Sequence, residues 1–156
     1  MNDQVLSKSA TIRINQPLPL SFNLFTPEGE KRWVPGWEPE IIRYNNEGIK
    51  KGTTFITPGK SGFEDEYVWY VCELDLTTFY VKYMVTTQNR VWFVEVNCKA
   101  SPMETTHVKV KYTYQALNEK GYNLNKLAIS DMYAQDLNDW ERAINFYLEN
   151  GSKIGE

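Results

Sequence analysis

Residues 122–150 read YNLNKLAISDMYAQDLNDWERAINFYLEN. At about 100° of turn per residue, Tyr122, Ile129, Tyr133, Leu137, Trp140, Ile144, Tyr147 and Leu148 share one stripe, while Asp131, Asn138, Asp139, Arg142 and Asn145 lie mostly outside it. The spacing predicts a long amphipathic helix, with Gly151 as the residue that closes its last turn. A stripe of rings that long needs a broad apolar surface to pack on. The rest of the chain has to supply it.

Upstream the period is two. Trp92, Val94, Val96 and Cys98 alternate with Glu95, Asn97 and Lys99, and Val108, Val110, Tyr112 and Tyr114 alternate with His107, Lys109, Lys111 and Thr113. Such alternation marks strands with one dry face. Phe79, Val81, Tyr83 and Val85 form a third inward set. In residues 66–75 the outward carboxylates Glu73 and Asp75 place Val68, Tyr70, Cys72 and Leu74 inside and Trp69 outside. Strands are predicted at 8–15, 40–44, 53–57, 66–75, 78–87, 91–99 and 105–116. Short turn-rich joints between the last six (45–48, 58–62, 76–77, 88–89 and 100–102) make neighbouring strands antiparallel. After the first strand, Pro17 and Pro19 interrupt. Thr26 then stands as an N-cap ahead of Pro27 and acidic residues, so a short helix begins there and stops before Pro35, Gly36 and Pro39.

A chain of 156 residues forms one domain, residues 1–156, and can bury a core without disulfides or metals. A net charge of -3 lacks the basic footprint that nucleic-acid binding requires. The N-terminal residues are polar and no apolar run is long enough to span a bilayer, which gives a cytoplasmic expectation. Cys72 and Cys98 lack metal-ligand spacing and read as free thiols. No cofactor, metal site or catalytic set is expected. His107 is the only histidine and belongs to an outer face, Glu64, Asp65 and Glu66 read as a solvated turn, and the glycines at 59 and 62 lack a phosphate-loop context.

The order of elements is α+β: a strand, two short helices, a six-strand meander and a terminal helix. With it come Thr26-Pro-Glu-Gly-Glu-Lys-Arg-Trp33, Pro35-Gly-Trp37, Gly52-Thr-Thr-Phe55-Ile-Thr57, the run from Thr106 to Tyr114 leading to Ala116-Leu-Asn-Glu-Lys-Gly121, and Tyr133 with Trp140-Glu141. On these the chain resembles the SRPBCC (START-like, helix-grip) superfamily. That superfamily includes lipid-transfer domains, pollen-allergen proteins, polyketide cyclases and activators of a heat-shock chaperone ATPase. The resemblance implies a curved sheet of about seven strands around the terminal helix, with a cavity between them whose contents vary from member to member.

Bulky rings on facing walls leave gaps, so the residues themselves point to the same cavity. Tyr83, Trp92, Tyr112 and Tyr114 from the sheet face Tyr133 and Trp140 from the helix, and Phe55, Tyr70, Ile129 and Leu137 extend the lining. Trp33 and Trp37 are placed to cap it. Lys126 and Ser130 intrude on the helix stripe and are expected to meet a polar head at the mouth, leaving residues 140–148 as ordinary core. The expected function is binding of a small hydrophobic molecule, lipid-like or aromatic, as a carrier or sensor without catalysis. One alternative is a polyketide cyclase-like enzyme using Tyr83, Tyr112, Tyr114 or Tyr133 for proton transfer. Another is an interaction module, with a possible homodimer through an outer patch of Trp69, Tyr80 and Met84.

Overall fold

The computed structural model describes residues 5–44, 48–60 and 62–155. The predicted turn residues Asn45, Asn46, Glu47 and Ser61, and the start of the polar N-terminus, residues 1–4, lie outside them. The chain runs β1 (Leu6–Ile14), α1 (Leu18–Asn23), α2 (Pro27–Glu30), β2 (Glu40–Arg43), β3 (Thr54–Pro58), β4 (Glu66–Asp75), β5 (Tyr80–Thr86), β6 (Arg90–Ser101), β7 (Thr105–Ala116), α3 (Glu119–Met132) and α4 (Asn138–Asn150). The short joints do what their length dictates. Strands β2 to β7 form an antiparallel meander, and β1 pairs with β7 to give the seven-stranded order β1-β7-β6-β5-β4-β3-β2.

The alternation in β5, β6 and β7 resolves as the sequence predicts. Val81, Tyr83, Val85, Trp92, Val94, Val96, Cys98, Val108, Val110, Tyr112 and Tyr114 are all buried on the concave face, and Phe79 packs edge-on against Phe22. Thr26 caps α2 by accepting the Gly29 amide at 3.0 Å. Gly29 has no alternative here, because a Cβ would lie 1.7 Å from the Asn23 carbonyl oxygen. Both cysteines are free, Cys98 buried and Cys72 partly exposed.

Strand β4 corrects the predicted register. Trp69 (8% exposed) and Val71 (0%) face inward, whereas Val68 (36%) and Tyr70 (37%) face outward. The cause is a bulge. Val71 pairs with Tyr83 but Glu73 pairs with Lys82, so Cys72 is an extra residue and the two halves of β4 run in opposite phase. Counting back from Glu73 and Asp75 gives the right face for Leu74 and the wrong one for everything before Cys72. With Trp69 buried, the outer patch that suggested a homodimer loses its tryptophan, leaving Tyr80 and Met84 on that face.

The predicted helix over 122–150 is two. Between α3 and α4, Asp136 (φ 51°) and Leu137 (φ 65°) adopt left-handed backbone and turn the chain. The two residues that flank the break both point inward. Tyr133 donates its hydroxyl to the Val110 carbonyl at 3.0 Å, and Leu137 is fully buried. No Gly or Pro marks the joint, so periodicity alone runs straight through it. Helix α4 covers the open edge of β1, where the Arg13 and Asn15 amides donate to Glu141 Oε1 (2.6 Å) and Asn145 Oδ1 (2.9 Å). It ends at Gly151 in left-handed conformation, as expected. No helix among the described residues is long and apolar enough to cross a membrane.

Candidate functional site

Between the concave sheet, the turn after α2 and the α3–α4 junction lies a cavity of about 700 Å3. All 5 tryptophans of the chain line it: Trp33, Trp37, Trp69, Trp92 and Trp140, with Tyr67, Tyr112 and Tyr114 between them. The rings are held from behind. Trp33 donates its indole N–H to the Leu24 carbonyl (2.7 Å), Trp37 to the Pro27 carbonyl (2.8 Å) and Trp69 to Thr57 Oγ1 (3.0 Å). They also brace one another, Trp37 edge-on to Trp69 and Trp33 against Trp140, each at 5.5 Å between centroids. Tethered indoles and interlocked rings make a preformed wall rather than a collapsed one.

Of the residues expected to line a cavity, Trp33, Trp37, Trp92, Tyr112 and Tyr114 do so. Four others are buried core outside it. Phe55 stacks on Trp69 at 5.3 Å, Tyr83 donates its hydroxyl to the Phe25 carbonyl (2.7 Å), Tyr133 is tied to Val110, and Leu137 sits in the helix break. Ile129 packs against that core. Tyr70 is on the outer face because of the β4 bulge. Lys126 and Ser130 are exposed, with the Lys126 ammonium 5.0 Å above the Tyr122 ring. In α3 the residues turned to the sheet are Gly121, Asn125, Ala128 and Met132, a stripe out of phase with the one drawn through α4. The cavity therefore does not open towards the start of α3. It reaches the junction, where Trp140 and Ala143 form wall instead of plain core.

Two charged groups in the wall were not singled out from sequence. Arg90, 4% exposed, lies over Trp92 with its guanidinium carbon 4.5 Å from the ring centroid. Its charge is met by Glu64, which accepts from Nε at 3.0 Å and Nη2 at 2.7 Å, while Glu64 Oε2 takes a short bond from the Thr87 hydroxyl and one from Asn89 Nδ2 at 3.3 Å. Burial pushes the Glu64 carboxyl up, but these donors outweigh it and its pKa lies below the ordinary value. The solvated-turn expectation fails for Glu64, which is 7% exposed. Gly121 makes the arrangement possible, because any side chain there would strike the Asn89 carbonyl (2.0 Å) and push α3 away from Arg90.

Glu30 is the opposite case. It ends α2 on the cavity wall and keeps part of its surface open to that space, yet among the described residues its carboxyl has neither a hydrogen bond nor an ion pair. Burial among rings pushes its pKa up to about 8. A sequence reading sees only an acid in the first turn of a short helix. Glu38, Lys60, Asp131 and Asp139, all exposed, complete the rim. The tyrosines are not activated. Burial raises Tyr83, Tyr112, Tyr114 and Tyr133 above the usual phenol value, Tyr133 to about 12.

No protein-family model and no curated protein matches the chain in sequence. Solved structures match in fold. A norcoclaurine synthase from Thalictrum flavum, solved in complex with dopamine and hydroxybenzaldehyde, superposes with a TM-score of 0.68 at 17% identity over 97% of this chain and 91% of that one. An aromatase/cyclase from Streptomyces gives 0.70 at 11% identity over 94% of each chain. Ara h 8.0201 gives 0.64 at 17% identity, covering 94% of this chain and 100% of its own. The chain thus shares its fold with these structures, the helix-grip architecture that its sequence resemblance implied.

Proposed function

We propose that this chain binds a small, mainly aromatic molecule in the cavity and serves as its carrier or sensor. The observation that carries the reading is the convergence of all 5 tryptophans on one wall. Trp33, Trp69 and Trp92 belong to the buried core as well, yet all of them, with Trp37 and Trp140, turn surface to the one cavity. A cavity of about 700 Å3 also falls within the roughly 300–1,000 Å3 usual for small-molecule sites. A fold neighbour solved with two small aromatic molecules supports the size class. Walls made of rings favour an aromatic ligand over an acyl chain.

A cyclase-like enzyme is the second reading, now on different residues. Tyrosines with raised pKa are poor bases, whereas a carboxyl near pH 8 is matched to proton transfer at neutral pH. Turnover of an aryl substrate that Glu30→Gln abolishes, with binding retained, would favour it.

Ala143 offers a direct test, since it stands on the cavity wall at 8% exposure and a larger side chain would grow into the space. Native mass spectrometry after mild purification should show wild-type protein with a small-molecule adduct, and aryl probes should shift tryptophan fluorescence. Ala143→Phe should lose both while melting cooperatively. A wild type with no adduct and no response to any aryl probe would remove the reading.

A further inference from the structure

We infer that the molecule taken by this cavity carries a protonated amine on its aromatic body. The inference rests on the ligand reading above and adds the charge of the ligand. It starts from Glu30, whose carboxyl faces the cavity without a protein donor among the described residues. In the empty cavity such a carboxyl avoids the cost of a bare charge by keeping its proton, and a cationic guest is what would let it ionise.

Two further polar groups of the lining fit the same guest. Tyr112 (6% exposed) and Tyr114 (2%) line the wall, and neither hydroxyl has a protein partner among the described residues. By contrast the hydroxyls of Tyr83 and Tyr133, outside the cavity, are fixed to backbone carbonyls. An ammonium brings several donors and no acceptor, so one carboxylate and two phenol oxygens suit it.

Charge and rings point the same way. The lining holds the carboxylates Glu30, Glu38, Asp131 and Asp139 against the cations Lys60 and Arg90. Arg90 is already neutralised by Glu64 at 2.7 Å. Lys60 is exposed at the rim, 5.4 Å over the Phe63 ring. An anionic ligand would therefore meet uncompensated carboxylates and no free buried cation. A neutral one would leave Glu30 protonated and gain no charge pairing from it, whereas a cation would pair with its ionised form. Aromatic faces attract cations, and this wall already holds one, with the Arg90 guanidinium over Trp92 and 5.9 Å from both Tyr67 and Tyr114.

Three probes of one shape separate the possibilities: naphthylethylamine, naphthylethanol and naphthylacetate, titrated calorimetrically at neutral pH. The amine is expected to bind the wild type about tenfold or more tighter than the alcohol, with the carboxylate weakest. Glu30→Gln should bring the amine to the alcohol's level and leave the alcohol within about twofold of its wild-type affinity. The wild-type ranking needs no variant, so it stands even if Glu30→Gln is poorly folded. Alcohol or carboxylate binding as tightly as the amine overturns the inference while leaving the cavity reading intact. An amine preference that persists in a folded Glu30→Gln overturns it too. If none of the three probes binds, the cavity reading fails and the inference falls with it.

Discussion

Glu30 and Glu64 are two carboxylates drawn into the same aromatic region and treated in opposite ways. Glu64 is closed off behind the wall with Arg90, Thr87 and Asn89 saturating its oxygens, and its pKa is lowered. Glu30 is on the cavity side, bare, with its pKa raised to about 8. Fold stability explains the first arrangement, since it lets Arg90 be buried against Trp92. It does not explain the second, which works against stability in the empty protein. An interior carboxyl that its own fold leaves without a partner, and that holds its proton at neutral pH for that reason, is the group that the proposed guest would meet.

The largest expected effect comes from breaking the matched pair. Glu64→Gln leaves Arg90 buried without its counter-charge and should destabilise by about 3–5 kcal/mol in urea unfolding at neutral pH. The double variant Glu64→Leu with Arg90→Met should recover a good part of that loss, because no charge remains to be compensated. A single variant costing under about 1 kcal/mol would mean that rings and Asn125, rather than Glu64, hold the guanidinium.

The unmatched carboxylate gives a smaller effect with a distinctive pH dependence. A group whose pKa is raised on folding binds its proton more tightly in the folded state, so stability falls as pH rises from its unfolded value, 4.5, towards about 8. Tyr83 and Tyr112 are the titratable neighbours that feel its charge, and both stay protonated across this window. Glu64 has the reverse sign, contributing stability above 4.5 that disappears as pH falls through its lowered value. Glu30→Gln should therefore flatten the neutral limb of the stability profile, gaining on the order of 2 kcal/mol near pH 8, and leave the acid limb where it was. A wild-type profile flat between pH 5 and pH 8 would contradict the difference drawn between the two sites.

How far the sequence discloses this follows from the range of each interaction. Alternation in β6 and β7 is local and reads off directly, as do the Thr26 cap and Gly151. So does the presence of rings for a cavity wall, with Trp33, Trp37, Trp92, Tyr112 and Tyr114 in it. The faces of Trp69 and Tyr70 depend on one extra residue, Cys72, that no composition signal marks. The false placement of Lys126 and Ser130 came from extending the phase of α4 through residues 133–137, a break with no Gly or Pro in it. The two carboxylates were least legible. Glu64 meets Arg90 across 26 residues, and the state of Glu30 depends on what fails to approach it. Pairing of that kind belongs to the tertiary fold and has no period to read.

The finest cut at the comparison is Thr87. Its hydroxyl donates to Glu64 Oε2, and its oxygen accepts the Asn89 amide at 3.0 Å, so it ties the carboxylate to the turn that carries Arg90. Thr87→Val keeps the shape and the charges and removes both bonds. The loss should be about 1–2 kcal/mol, less than for removing the charge of Glu64, because Arg90 and Asn89 still hold the carboxylate. With one donor gone, the Glu64 pKa should move back towards 4.5, so the acid limb still begins near 4.5 but is smaller and levels off at a higher pH than in the wild type. The neutral limb, which belongs to Glu30, should not move. A shift of both limbs would mean that the two carboxylates titrate as one site and that the aromatic wall between them does not keep them apart.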